Sequence, residues 1–285
     1  MHLILIINKP WRARSRRSHD GHTSTLRAAL FFAAVGLALP PAPAHATPKP
    51  LPFSYFADVK AAGDFEIETI TDFSPVRVAR ETDDGSDAVT ALRFDVTTEL
   101  ELGIGHGLEL GWYFAFSQAA SAGGHALAFD GMKQRLRWAL AEPGEWPIDV
   151  GLYFEIAEKP DELELEEKLL LSKRVGAVRM LVNVWFEQEY YFQENAWKLI
   201  YHPTAGVTYD LSPNATVGLE YWAQGHLEAG GRSAVHYLGP TLMLSSANPW
   251  LSIGVYLRLD HLGDAAAVGD PFGKLWFRTI LSFDI

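Results

Sequence analysis

The residues of this chain that could do chemistry are mostly carboxylates, and many of them recur at every second position. Six glutamates in the central third share this pattern and are named here the acidic wall: Glu155, Glu162, Glu164, Glu166, Glu187 and Glu189. Carboxylates grouped in this way can bind a cation, exchange a proton in catalysis, or line the path of an ion. The choice depends on which way these side chains point.

Basic residues alternate with apolar ones in the same manner. One segment carries Lys133, Arg135 and Arg137, and four residues from nearer the two ends are named here the basic wall: Arg93, Arg258, Lys274 and Arg278. If the segments are strands of a ring, the acidic and basic walls oppose each other and set up a transverse field that tunes the selectivity of a pore. Alternatively, these charges pair and brace a nearly closed interior, because buried charges must be paired.

Motifs for catalysis or cofactor binding are weak. His202 and His236 have no serine at a recognisable spacing, and a lone histidine is more often structural than catalytic. Five aspartates in two long loops could bind a cation, although solvated loop acids are the simpler interpretation: Asp83, Asp84, Asp87, Asp264 and Asp270. There is no cysteine, phosphate-binding loop, dinucleotide fingerprint or metalloprotease motif. The sequence therefore predicts no enzyme, no resident metal and no cofactor.

The elements that position these residues are predicted to be β-strands with two different faces. Residues 92–102, 148–157 and 251–260 alternate apolar and polar side chains almost without interruption. We predict twelve strands, at about 64–72, 91–102, 108–117, 127–140, 148–156, 162–172, 177–192, 197–210, 215–224, 234–244, 250–259 and 273–285. Short turns alternate with longer connections, of which 73–90 is predicted to be a long loop. An even strand number with short turns at one end is typical of outer-membrane β-barrels.

The apolar face is expected to point outward, toward lipid. About eight strands already enclose as much space as side chains readily fill, so an apolar interior in a twelve-stranded barrel would leave a large void. Aromatic residues also recur near the ends of the segments, as at a membrane interface: Phe65, Trp112, Trp138, Phe192, Trp197, Tyr209, Tyr237 and Phe283. The fold class is therefore predicted to be all-β, a single closed antiparallel transmembrane barrel over residues 64–285.

The first 46 residues are interpreted as a cleaved signal peptide. Basic residues precede an apolar run over 28–39, and Ala44-His45-Ala46 fits the small residues of a cleavage site. The run is shorter than the roughly 20 residues that a spanning helix needs. Residues 47–63 follow as a periplasmic segment or partial plug. The net charge of −11 makes nucleic acid an unfavourable partner.

Several short motifs carry a resemblance to a known family. They are Phe-Ser-Tyr-Phe at 53–56, Leu-Glu-Leu-Glu-Glu-Lys-Leu at 163–169, Glu-Gln-Glu at 187–189, Leu-Gly-Pro-Thr-Leu at 238–242 and the terminal strand that ends at Ile285. The chain resembles an uncharacterised family of porin-like Gram-negative outer-membrane barrels with no established substrate. The resemblance implies an outer-membrane location, contact with lipid, and handling by the barrel assembly machinery.

The expected function is that of a narrow passive channel for small hydrophilic solutes. A closed-lumen barrel with a structural or surface-interaction role is the alternative, and a lipid-modifying barrel enzyme or a soluble secreted β-sandwich is less favoured. Local irregularities are predicted at three places: a bulge that hides Glu167, which falls in the apolar row, and a bulge or bend at Pro203 and at Pro240.

Overall fold

The computed structural model describes residues 48–124, 126–228, 230–246, 248–260 and 262–285. The predicted signal peptide over 1–46 lies outside the described residues. These residues form β-strands joined by turns and loops, with no helix among them. Accordingly, the described part of the chain contains no helix with the length and hydropathy to cross a bilayer.

Thirteen strands follow one another along the chain. They are β1 (Phe65–Thr82), β2 (Gly85–Gly105), β3 (Leu108–Gln118), β4 (Ala128–Ala139), β5 (Asp149–Glu158), β6 (Glu162–Val175), β7 (Val178–Tyr191), β8 (Ala196–Tyr201), β9 (Thr204–Ser212), β10 (Ala215–His226), β11 (Val235–Ser245), β12 (Trp250–Arg258) and β13 (Leu275–Asp284).

The strands close into an antiparallel ring. Sequential strands pair with each other except β8 and β9, and β13 pairs with β1 to complete the circle. Strands β8 and β9 both lie between β7 and β10, so they are two halves of one wall strand. The ring therefore has twelve members, and the predicted fold class is confirmed.

The interruption between β8 and β9 lies at His202 and Pro203. Proline has no N–H to donate to a ladder, so regular pairing stops there. The wall is nevertheless held on both sides: His202 N donates to Trp185 O at 2.9 Å, and Ala223 N donates to Pro203 O at 3.1 Å. At Pro240 the pairing with β12 has a gap between Leu238 and Thr241, while the register with β10 is unbroken. Both prolines therefore interrupt the pairing, but the register is the same on either side of each interruption, so the predicted bulge is present at neither.

The first hairpin differs from its prediction. Residues 73–90 were expected to form a long loop, but β1 and β2 stay paired to their tip, where Thr82 lies opposite Gly85. Alternation of Val76, Val78 and Val89 with polar residues continues beyond the barrel, and the exposed pair Arg80–Asp87 bridges the two strands near the tip. The expected loop is therefore a two-stranded ribbon.

Side chains on the two faces of the ring have opposite character. Exposed apolar residues line the outer face, as with Phe154, Leu169 and Val182. Inward positions hold glutamates and arginines that are almost fully buried, such as Glu99 and Arg135. Exposed aromatic residues near the strand ends form part of the expected girdle: Trp138, Phe192, Trp197, Tyr209 and Phe283. Tyr237 was expected there as well, but its side chain is fully buried inside the ring. The predicted orientation, with apolar side chains outward and ionic ones inward, is the one observed.

Glu167 is an exception on the outer face. No bulge hides it, because β6 pairs in unbroken register with both β5 and β7. Its carboxylate instead accepts a hydrogen bond from Gln188 Nε2 on the neighbouring strand at 3.2 Å. A polar pair at a lipid-facing position is expected to cost free energy of folding.

Replacing this carboxylate should stabilise the barrel. We expect Glu167→Leu to raise the free energy of unfolding in lipid vesicles by about 1 kcal/mol, since acids on the lipid face cost less than the larger penalties of Lys and Arg. Urea titration followed by heat-modifiable gel migration measures the change. The matched variant Glu166→Leu should lower the stability, because Glu166 points inward and pairs with Lys168 at 2.7 Å. A loss of stability in Glu167→Leu would contradict the outward assignment.

Candidate functional site: a charged lumen filled by the N-terminal segment

Residues 48–64, named here the inserted segment, lie inside the ring. Most of their side chains up to Lys60 are buried, with Leu51 at 0% and Phe53 at 4% relative exposure, whereas residues 61–63 are exposed. The segment reaches strands on different sides of the barrel. The Lys60 amide donates to Glu109 Oε2 on β3 at 2.9 Å, and the Tyr55 amide donates to Asn183 Oδ1 on β7 at 2.8 Å. A segment that bonds to distant parts of a closed wall crosses its lumen.

Two lysines anchor the inserted segment to the carboxylates of β1 and β2. Lys49 Nζ lies 2.7 Å from Glu68, 2.7 Å from Glu101 and 3.3 Å from Glu99. Burial by itself lowers the pKa of Lys49, but the carboxylates of Glu101, Glu68 and Glu99 outweigh it and raise the pKa well above its ordinary value. Lys60 pairs with Glu66 and with Glu101, the latter at 3.1 Å. Both lysines are therefore counterions of the inward acids on β1 and β2.

The middle of the inserted segment is held through its backbone. Asn183 Nδ2 donates to Tyr55 O at 2.8 Å, which completes a two-bond pairing of this side chain with the Tyr55 peptide groups. Arg137 donates to Phe56 O at 3.0 Å and also to Asp58 O. Ser54 Oγ donates to Thr204 Oγ1 at 2.8 Å. Polar groups of the wall thus satisfy a chain that has no strand partner of its own.

An aromatic cluster lies above the segment, toward the end of the ring with the longer connections. Its members are Phe53, Trp222, Val235, Tyr237, Tyr256, Phe272 and Trp276. Phe272 comes from the connection between β12 and β13, which folds inward: Arg258 Nη1 donates to Phe272 O at 2.8 Å and to Asp270 Oδ2 at 2.7 Å. The inserted segment and this connection therefore meet in one apolar layer.

The six glutamates of the acidic wall all point inward and are almost fully buried. Three lysines offset part of their charge. Lys133 lies 2.9 Å from Glu155 and 3.4 Å from Glu164. Lys159 pairs with Glu162 at 2.5 Å and with Glu164 at 2.8 Å, and Lys168 pairs with Glu166 at 2.7 Å.

The other two glutamates of this wall meet neutral or weakly basic groups. Glu189 accepts a hydrogen bond from the Tyr191 hydroxyl at 2.6 Å, and Glu187 lies 3.4 Å from His202 Nδ1. His202 in turn stacks on Trp185 with 3.8 Å between the ring centroids. This side of the lumen therefore retains an excess of acid.

The basic wall is neutralised locally. Arg93 pairs with Asp95 at 2.8 Å, and Arg278 pairs with Asp72 at 2.7 Å. Arg258 lies 2.7 Å from both Asp260 and Asp270, and Lys274 Nζ donates to Asp260 O at 3.4 Å. The aspartates beside these arginines weaken the transverse field that the sequence suggested, and what remains is a net negative lumen.

The basic residues of β4 divide between two roles. Lys133 forms ion pairs with two glutamates of the acidic wall. Arg135, with a side chain at 0% exposure, pairs with Glu99, with Glu101 at 2.8 Å and with Glu109 at 2.5 Å. Arg137 pairs with Glu109 at 3.0 Å and holds the inserted segment. Together these side chains form ion pairs that link β4 to its neighbouring strands and to the inserted segment.

Four important residues were not singled out from the sequence: Lys49, Lys60, Asn183 and Glu220. The sequence did contain an indication that the two lysines are needed as counterions. The inward positions of β1 to β3 hold Glu66, Glu68, Glu99, Glu101 and Glu109. This count exceeds the arginines available on β4, so further cations had to come from elsewhere. Asn183 and Glu220 had no such signal, because their partners are backbone groups of the inserted segment.

Open cavities remain at both ends of the lumen. A cavity of about 520 Å³ at the short-turn end is lined by Phe56, Asp58, Asp149, Arg174 and Arg179, among others. A second, of about 410 Å³, lies at the other end. Its charged lining residues are Arg77, Arg93, Asp95, Asp130 and Asp270. Both cavities carry charges of each sign.

Comparison with known proteins bears on the fold. No protein-family model and no curated protein matches the chain. Among solved structures, an outer-membrane channel from Pseudomonas putida F1 is similar, with a TM-score of 0.59 and 10% identity over 87% of this chain and 100% of that one.

Two further solved structures have the same kind of barrel. The NanC porin has a TM-score of 0.52 and 8% identity over 76% of this chain and 100% of the porin. The translocator domain of the autotransporter NalP from Neisseria meningitidis has a TM-score of 0.50 and 8% identity over 92% and 95% of the two chains. At such low identities these similarities establish the fold and no more.

Proposed function

We propose that this protein is an outer-membrane channel for small hydrophilic solutes, closed at rest by its own inserted segment. Export through the cleaved signal peptide, insertion by the barrel assembly machinery and a lipid-exposed outer face in a Gram-negative bacterium belong to the same proposal. The similarity to solved outer-membrane channels supports it. Transport is favoured over catalysis because the described residues of the lumen form ion pairs, and among them no nucleophile and base lie in a recognisable arrangement.

One observation carries this proposal: the segment that crosses the lumen precedes the first wall strand and is not itself part of the wall, although wall side chains and Phe272 also fill space beside it. The wall's inward face is lined with charged and hydrogen-bonding groups, which is the lining of a water-filled passage. A barrel with a purely structural role could fill its interior with wall side chains alone. Here the filling is a segment held by ion pairs and hydrogen bonds, which water can replace when the segment moves.

The charges of the lumen favour cations. The acidic wall has six carboxylates against three lysines, whereas the arginines of the basic wall are paired with their own aspartates. A ring of excess carboxylates raises the local concentration of cations and repels anions. The proposed solutes are therefore small, hydrophilic, and cationic or neutral.

A disulfide that locks the inserted segment tests the proposal. Ser54 Oγ and Thr204 Oγ1 are 2.8 Å apart, and the chain has no cysteine of its own. In Ser54→Cys with Thr204→Cys, we expect the oxidised protein to be silent in planar bilayers. Reductant should restore the openings of the unmodified chain, because the segment is then free to leave.

Each single-cysteine variant serves as a control and should not respond to reductant. Mass spectrometry establishes whether the disulfide has formed, and heat-modifiable migration establishes that the barrel is folded. Silence in both states would overturn the channel and favour the closed-lumen barrel, whereas equal conductance in both states would overturn the inserted segment as its gate.

A further inference from the structure

The ring of Phe53 occupies an aromatic box built by the wall. It stacks on Trp222 with 4.5 Å between centroids and meets the edge of Tyr256 at 5.1 Å. Trp276 closes a third side at 6.3 Å, and the Arg278 guanidinium lies 3.6 Å from the ring centroid. We name this box, with the carboxylate of Glu220 beside it, the Phe53 seat. Rings in such arrangements gain energy beyond the burial of their area.

The walls of the Phe53 seat are fixed mainly by contacts within the barrel wall, and one long hydrogen bond, from Arg278 to Pro52 O at 3.5 Å, joins them to the inserted segment. Trp276 Nε1 donates to Asp72 Oδ1 at 2.7 Å, and Arg278 binds both oxygens of Asp72 at 2.8 and 2.7 Å. Trp222 stacks on Tyr237 at 4.2 Å. Because these contacts do not involve Phe53, the box should keep its shape when the segment leaves.

The Phe53 seat also binds the backbone nitrogen of Phe53. The Phe53 backbone N–H donates to Glu220 Oε1 at 3.1 Å, and the Tyr256 hydroxyl donates to the other oxygen. The Glu220 side chain is completely buried, and Arg278, the cation over the ring, is paired with Asp72 instead. Departure of the segment leaves Glu220 without the amide donor, and a buried acceptor without its donor is unfavourable.

We propose that the Phe53 seat is a binding subsite for arylethylamines, which open the channel by displacing Phe53. The backbone nitrogen, Cα, Cβ and ring of Phe53 form the phenethylamine skeleton, so such a ligand reproduces both contacts. Its ammonium adds the positive charge that the amide lacks, and a charge-assisted hydrogen bond to Glu220 is stronger than a neutral one. The inference rests on the proposed channel function, since it names the ligand of the same gate.

Binding is tested on the full chain with the seat emptied by Phe53→Ala. Calorimetry in detergent should show phenethylamine binding at least about tenfold tighter than phenylpropionate, which has the same ring and spacing but the opposite charge. Glu220→Gln in the Phe53→Ala background should remove this preference. Equal affinity for the two probes, or no binding of phenethylamine, would overturn the subsite.

A second measurement uses the unmodified chain and does not depend on folding of the variant. Phenethylamine added to single channels should raise the open fraction, and phenylpropionate should not. If the Ser54–Thr204 disulfide switches the conductance but phenethylamine neither binds nor opens the channel, the subsite fails and the channel stands. If phenethylamine binds with the stated preference while no variant conducts, the channel fails and the subsite stands.

Discussion

Deletion of residues 48–62 is expected to convert the protein into a continuously open channel. The inserted segment crosses the lumen and carries Leu51, Phe53 and Phe56, which pack deep inside the ring. Its removal replaces these side chains with water along a passage lined by charged residues. We expect the time-averaged conductance in planar bilayers to rise by about tenfold or more, with openings that no longer close.

The same recordings report selectivity. In a salt gradient, the reversal potential of the shortened channel should favour the cation because the acidic wall retains its excess carboxylates. A synthetic peptide of residues 48–62 should block the shortened channel, whereas a scrambled peptide of equal charge should not. A shortened barrel that is folded but does not conduct would contradict the assignment of the segment as the gate.

Removal of Arg135 is expected to cause a large loss of stability. Its guanidinium is fully buried and contacts Glu99, Glu101 and Glu109, and it donates to the Tyr113 hydroxyl at 2.7 Å. Arg135→Met keeps much of the volume but leaves the buried carboxylates short of one cation. Breaking a buried pair in this way costs about 3–5 kcal/mol. Urea titration in vesicles measures the change in the free energy of unfolding.

The matched control is Arg174→Met. Arg174 pairs with Asp210 at 2.5 Å, but its side chain is 55% exposed, so the loss should stay below about 1 kcal/mol. Adding Glu99→Gln and Glu109→Gln to Arg135→Met should recover part of the stability if uncompensated charge is the cause. A loss in Arg135→Met no larger than that of the control would show that the inward charges do not brace the wall.

Most of the wall was predictable because its signal is local. Alternation of apolar and polar residues sets both the extent of a strand and the face each side chain takes. For example, β6 was expected at 162–172 and is found at Glu162–Val175, with Glu162, Glu164 and Glu166 inward as predicted. The twelve members of the ring could be counted from the sequence for the same reason. The β1–β2 ribbon was missed because its alternation continues after the barrel ends, with no hydrophobic contrast to mark the boundary.

The interior was predictable only in part. Alternation predicts that a side chain points inward, but it does not predict which other side chain it contacts. That contact depends on the stagger of neighbouring strands. The pairing of Lys133 with Glu155 and Glu164 joins three strands in this way. The inserted segment was harder still, since it has no periodic pattern and its position depends on contacts with many strands. Its two lysines could be found only by balancing the inward charges of β1 to β3.

The long first hairpin determines where this chain can accept new sequence. β1 and β2 have 18 and 21 residues, about twice the 9–11 that cross the hydrocarbon. The surplus pairs with no further strand, and only its base is held, where Arg77 bonds to the connection between β12 and β13. Ribbons of two strands contribute little stability on their own. An epitope or affinity tag inserted between Asp83 and Asp84 would thus be displayed well away from the bilayer. The strand pairings of the barrel itself would remain intact.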